Sequence, residues 1–102
     1  MQEDVFEMIG RIVKSSPVVL FMKGTKNFPQ CGFSGRVCHI LETLNIDFKD
    51  VNILEDEALR QAVKEYSGWP TFPQLYMKGK FSGGCDIISQ LHESGDFQKL
   101  FD

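Results

Sequence analysis

No apolar run in this 102-residue chain is longer than Val18–Met22, far short of the roughly 20 residues that span a bilayer. Basic residues form no cluster and the net charge is −3, which argues against a nucleic-acid partner. There are only two histidines, His39 and His92, and they stand apart. The three cysteines are an odd number, which speaks against a disulfide framework, and their spacings match no zinc finger. Repeats, linkers and low-complexity tracts are missing as well. These absences leave one expectation: a single domain over residues 1–102, without membrane spans, kept in a reducing compartment. Residues 1–16 carry neither a signal peptide's apolar segment nor an Arg-rich transit character. A cytoplasmic home is therefore expected, in a bacterial cytosol, or a mitochondrial matrix had a presequence been removed. At this length folding buries roughly 60% of the unfolded surface, enough for a core without staples.

What is present is organised around Thr25-Lys26-Asn27-Phe28-Pro29-Gln30-Cys31-Gly32-Phe33-Ser34. The β-branched run Val18–Met22 precedes it, and after it Val37, Ile40, Leu41 and Leu44 recur at helical spacing. Cys31 is thus expected where a loop ends and a helix, about Gly32 to Leu44, begins. Unpaired N–H groups and about half a positive charge collect at a helix start. Both favour thiolate over thiol, so Cys31 is a candidate nucleophile. Without that setting it would be a small buried hydrophobe. The place of a second cysteine three residues on is taken by Ser34, whose hydroxyl cannot close a disulfide. A thiol from elsewhere must therefore resolve an oxidised Cys31.

The remaining elements follow from periodicity. Residues 4–15 read as a helix with Asp4 as N-cap and Val5, Ile9, Ile12 and Val13 as its apolar stripe, Phe6 alongside. Pro17 ends it. Asp47–Val51 reads as a strand around Phe48. Leu54–Tyr66 reads as a helix with Leu59, Ala62, Val63 and Tyr66 inward and Ser67-Gly68 closing it. Trp69-Pro70-Thr71-Phe72-Pro73 is a restricted loop. Gln74–Lys78 and a strand around Phe81 flank a turn at Lys78-Gly79-Lys80. Gly83-Gly84 permits close backbone approach. Asp86, an N-cap by residue type, opens a helix to Ser94 with Ile87, Ile88 and Leu91 inward. A last turn carries Phe97, Leu100 and Phe101. This order predicts an α/β domain with a four-stranded mixed sheet: the first two strands parallel, because a helix joins them, and the last two antiparallel.

Lys23-Gly24-Thr25, Pro29 to Ser34, Trp69 to Leu75 and Gly83 to Ile87, in this order and at these intervals, resemble the monothiol glutaredoxins of the Cys-Gly-Phe-Ser type. The resemblance covers essentially the whole chain and implies a thioredoxin-like (glutaredoxin) fold. It also implies a glutathione site. Lys23 and Arg60 would meet the glutathione carboxylates, with Lys64 a further candidate; on residue type alone all three are solvated surface charges. Cys31, Gly32 and Phe33 would be among the residues that bind glutathione. Thr71, Phe72 and Pro73 would line its site, the N–H and C=O of Phe72 pairing with the cysteinyl unit, with Phe72-Pro73 cis, although residue type alone favours trans. Gly84, Cys85 and Asp86 would hold the γ-glutamyl carboxylate and face its ammonium. Trp69 is either a wall of the site or core, and Cys85 would be a resolving thiol if it lies near Cys31. Cys38 reads as core.

The resemblance further implies a [2Fe–2S] cluster bridging two copies of the chain. Cys31 and glutathione from each copy would be the ligands, the apo chain would be a monomer, and the cluster would pass to iron-sulfur acceptor proteins. Members of the family also pair with BolA-like proteins. The alternative from the same residues is glutathione-dependent thiol–disulfide exchange, with Cys31 removing glutathione from mixed disulfides.

Overall fold

The computed structural model describes residues 4–101. The first turn expected at the acidic start begins inside that range, whereas residues 1–3 and the side chain of Phe101 lie outside the described residues. Strands β1 (Val18–Met22), β2 (Lys49–Asn52), β3 (Gln74–Met77) and β4 (Lys80–Gly83) form one sheet in the order β2-β1-β3-β4. β1 pairs in parallel with β2, Leu20 opposite Asp50, and antiparallel with β3, Leu20 opposite Leu75. β3 and β4 pair antiparallel with an irregularity at Leu75/Tyr76. The mixed four-stranded sheet is the one expected.

Four helices cover it: α1 (Val5–Lys14), α2 (Gly32–Thr43), α3 (Glu57–Ser67) and α4 (Cys85–Ser94). All of β1 is buried, because its alternate residues feed two cores. Val18, Leu20 and Met22 pack with Val37, Ile40 and Leu41 of α2 and Ile88 of α4. Val19 and Phe21 face the other way, onto Ile9 and Val13 of α1 and Leu59, Ala62 and Val63 of α3. A strand covered on both faces needs no polar alternation, which is why its sequence shows none. Each such side chain, fully buried, contributes about 1.5–3 kcal/mol.

Several boundaries differ from periodicity, each for a local reason. β2 begins at Lys49 rather than Asp47, with Phe48 buried just ahead of it. Leu54 is not the start of α3. Asn52 caps a separate 3-10 turn at Ile53–Glu55 by accepting the Leu54 N–H, and α3 begins after Asp56, which accepts the Leu59 N–H at 3.0 Å. Capping chemistry outranks apolar spacing at such an end. Leu44 is the C-cap of α2 and is exposed, and Val5, Phe6, Tyr66 and Ile87 are also exposed rather than core. Tyr66 still meets the rings of Phe6 and Tyr76 at its edge. The N-cap of α4 is Gly84, so Asp86 lies within the first turn instead of capping it.

Candidate functional site

The ends of β1 and β3 and the starts of α2 and α4 converge on one groove of about 410 Å³. Lys23, Phe33, Arg60, Thr71, Phe72, Gly84, Cys85 and Asp86 line it together with Trp69, Pro70 and Ile87. Residues more than sixty positions apart in sequence, Lys23 and Asp86, thus line the same groove. Of the residues singled out from sequence, Cys31, Gly32, Pro73 and Lys64 are not part of that lining. Cys31 is half-buried at the N-cap of α2, flanked by the lining residues Lys23 and Phe33; Gly32 is exposed and Pro73 is buried behind the wall.

The loop from Lys23 to Gln30 sets the position of Cys31. Gln30 donates its N–H to the Lys23 carbonyl, and Thr25 and Phe28 exchange backbone hydrogen bonds. Two side chains at the C-terminal end of β2 tether it: Asn52 Oδ1 accepts the Gly24 N–H at 3.0 Å and Asp50 accepts the Lys26 N–H at 2.8 Å. Lys26 Nζ donates to the Phe48 carbonyl at 2.6 Å and sits over the Phe48 ring. Phe28, at the tip, is 74% exposed.

The Cys31 sulfur closes no capping hydrogen bond onto α2, yet it faces that helix's free donors. The Ser34 N–H above all holds the thiol below its ordinary value; burial opposes this, and the Phe33 N–H, the Lys23 ammonium and the Ser34 hydroxyl assist. This is the electropositive, accessible setting of a reactive thiolate. Cys38, by contrast, is core: burial pushes its thiol up to about 11 and its Sγ rests 3.6 Å from Met22 Sδ. Cys85 is half-buried at the first position of α4, and its sulfur lies 3.8 Å from Ser89 Oγ.

The loop ahead of β3 supplies Trp69 to Phe72 to the same lining. Its Phe72-Pro73 bond is cis, as the resemblance implies. Among the described residues no backbone group hydrogen-bonds the N–H or C=O of Phe72. Trp69 both lines the groove and packs on Phe81, with ring centroids 5.7 Å apart. Gly84 touches it: a Cβ there would lie 3.1 Å from Trp69 Nε1 and 3.3 Å from the Pro73 carbonyl. Two buried donors on the groove residues, Arg60 Nε and Trp69 Nε1, have no hydrogen-bond partner. Among the described residues the Arg60 guanidinium is paired with an exposed carboxylate, Glu57, at 3.4 Å. Two cations, unpartnered donors and the start of α4 suit a ligand rich in carboxylate and carbonyl oxygen.

Sequence reasoning missed three buried or half-buried polar side chains that build this site: Ser34 as more than a missing cysteine, Asn52 as a tether and Gln74 as a loop clamp. Nothing in their spacing marks them. Among the described residues no helix is long and apolar enough to cross a membrane.

The glutaredoxin family model matches residues 18–82. Monothiol glutaredoxin-S14, chloroplastic, of Arabidopsis thaliana is 57% identical over 91% of this chain, which spans about half (54%) of that protein's length. A probable monothiol glutaredoxin 2 of Rickettsia typhi is 48% identical over 98% of this chain and 90% of its own. The solution structure of reduced apo GrxS14 from poplar superposes with a TM-score of 0.82 at 58% identity, covering 93% of this chain and 87% of that one. With sequence, fold and groove in agreement, this chain belongs to the glutaredoxin family, alongside the monothiol glutaredoxins.

Proposed function

We propose that the groove binds glutathione and that two copies of the chain together carry a [2Fe–2S] cluster as cargo for delivery to acceptor proteins. The observation that carries this reading is the thiolate-favouring position of Cys31, at the edge of a donor-lined groove and without a thiol in its own motif. Lys23 and Arg60 suit the two glutathione carboxylates together with the N–H groups at the start of α4. The free backbone pair of Phe72 suits the cysteinyl peptide groups as a short added strand. That arrangement directs the glutathione sulfur towards Cys31.

A [2Fe–2S] cluster usually takes four thiolates. Among the described residues no group of three or more Cys, His, Asp or Glu side chains is placed to hold a metal, so Cys31 needs ligands from outside the chain. Two chains and two glutathiones complete the set. Half of that set consists of dissociable small molecules, which fits release to an acceptor.

Anaerobic reconstitution with iron, sulfide and glutathione tests it: the expected product is a coloured dimer by absorption and native mass. Omitting glutathione or substituting Cys31→Ser is expected to remove the colour. Equal cluster content in Cys31→Ser overturns the assignment.

The same thiolate supports a second reading. Cys31 would attack the glutathione sulfur of a mixed disulfide, expel the protein thiolate, and be regenerated by a second glutathione leaving as glutathione disulfide. Brisk turnover on a glutathionylated protein would favour that reading over cluster carriage.

A further inference from the structure

Gln74 opens β3 directly behind the groove loop, and it is 0% exposed. A buried carboxamide needs partners for two donor hydrogens and an acceptor oxygen, and this one has them. Nε2 donates to the Trp69 carbonyl at 3.0 Å and to the Thr71 carbonyl at 3.2 Å, while Oε1 accepts from the Tyr76 hydroxyl at 3.3 Å. Tyr76 is itself buried against Phe21 and Phe81, so the amide cannot rotate without taking the acceptor from a buried phenol O–H. Ser67 holds the near end of the same loop, its Oγ accepting the Trp69 N–H at 3.0 Å.

The two carbonyls held by Gln74 bracket the groove-facing stretch. With both turned inward onto one amide, the Trp69 and Thr71 oxygens are withdrawn from the groove. The groove then presents donors and the unpaired backbone of Phe72, not a row of carbonyl oxygens that would repel an anion. We propose that Gln74 is the positioning residue of this groove: its buried carboxamide fixes the loop so that the Phe72 backbone stays aligned for a peptide-like ligand. This rests on the reading of the groove as a glutathione site.

The test titrates reduced glutathione into 15N-labelled wild type, Gln74→Met and Gln74→Glu. Methionine matches the length of glutamine without its donors. Glutamate keeps one O–H donor only while protonated, and burial beside carbonyls favours that form. Expected is a loss of about tenfold in affinity for folded Gln74→Met, the net worth of one ordinary hydrogen bond. Expected also, over the pH range in which the variant stays folded by circular dichroism, is a Gln74→Glu affinity that falls as pH rises from about 5.5 to about 8, more steeply than in wild type. Wild-type affinity in folded Gln74→Met overturns the proposal. Should the variants not fold, the wild-type Gln74 Nε2 hydrogens decide: slow exchange with water supports the clamp, and exchange as fast as a surface glutamine's overturns it. If wild type binds no glutathione, the groove reading falls, while those side-chain exchange rates still settle the part of Gln74.

Discussion

The hydroxyl of Ser34 accepts the backbone N–H of Lys23 at 3.1 Å, across the gap between the end of β1 and the first turn of α2. Ser34 is wholly buried, so this bond is shielded from competing water. It fixes Lys23, whose ammonium favours the Cys31 thiolate, relative to the helix that carries Cys31. The serine in the motif is therefore a structural tie as well as a missing thiol.

Ser34→Ala is expected to act on both properties. The Lys23 N–H loses its partner, at a cost of about 1–3 kcal/mol in unfolding free energy. The hydroxyl's small contribution to the thiolate is lost too, so the Cys31 pKa rises towards the ordinary thiol value while the larger Ser34 N–H effect remains. Urea unfolding measures the first effect, and the pH dependence of iodoacetamide alkylation the second. An unchanged alkylation midpoint in a destabilised variant would separate the tie from the electrostatics.

The adjoining glycines are expected to fail differently. Gly83 has φ of +138°, and a Cβ there would sit 2.9 Å from Ile87 Cβ. Gly83→Ala thus combines backbone strain with a clash and should cost about 2 kcal/mol or more. Gly84 has an ordinary φ, and its added Cβ would press on Trp69 Nε1 and the Pro73 carbonyl. Since Pro73 is buried next to β3, the indole has to move. Gly84→Ala should therefore lose less stability than Gly83→Ala but weaken glutathione binding, as thermal melts and titration would show.

Burial makes the protein sensitive to alkali. The Cys38 thiol is pushed up to about 11, mainly by desolvation with Glu42 and Asp50 adding, and the Tyr76 phenol up to about 12, mainly by desolvation. In the unfolded chain they ionise near their ordinary values of 9.0 and 10.0. The unfolded state therefore loses these protons first. The contribution is intact below those ordinary values and is lost as pH climbs through the raised ones. Unfolding free energy should fall between about pH 9 and about pH 12, and less steeply in Tyr76→Phe above about pH 10. In the native protein Cys31 should alkylate well before Cys38.

Much of the fold was legible because it is written in short-range chemistry. The unbroken run Val18–Met22 marked the doubly covered strand, and the helical spacing of Val37, Ile40 and Leu41 marked a buried face. Spacing misled at element ends. There the side chains of Asn52 and Asp56 decide where a turn stops and a helix starts, Leu44 is left exposed at the C-cap of α2, and Ile87 faces the groove. The site was legible in a different way. A helix start marked Cys31 from its own neighbours, but nothing local in Arg60 or Thr71 reveals that they share a groove with Lys23. Those positions came from the family resemblance, as did the cis bond before Pro73. Ser34, Asn52 and Gln74 escaped because burial of a polar side chain is a property of the assembled fold.

Asn52 gives the remaining prediction. Its Oδ1 accepts two backbone N–H groups at once, from Gly24 in the Cys31 loop and from Leu54 in the turn before α3, each at 3.0 Å. One oxygen thereby joins the loop that carries the thiol to the segment that starts the Arg60 helix. Asn52→Ala leaves both donors without their acceptor and should cost about 1–3 kcal/mol, the penalty of unpaired groups outweighing the small loss of contact area. Asn52→Asp keeps an acceptor oxygen in the same place and should retain most of that stability. The loop would still be held by Asp50 on Lys26, so Asn52→Ala should remain folded, with faster amide exchange at Gly24 and a broader spread of Cys31 alkylation rates. If Asn52→Ala unfolds at the wild-type urea midpoint with Gly24 still protected, the shared oxygen is incidental and the loop is held by Asp50 and Lys26 alone.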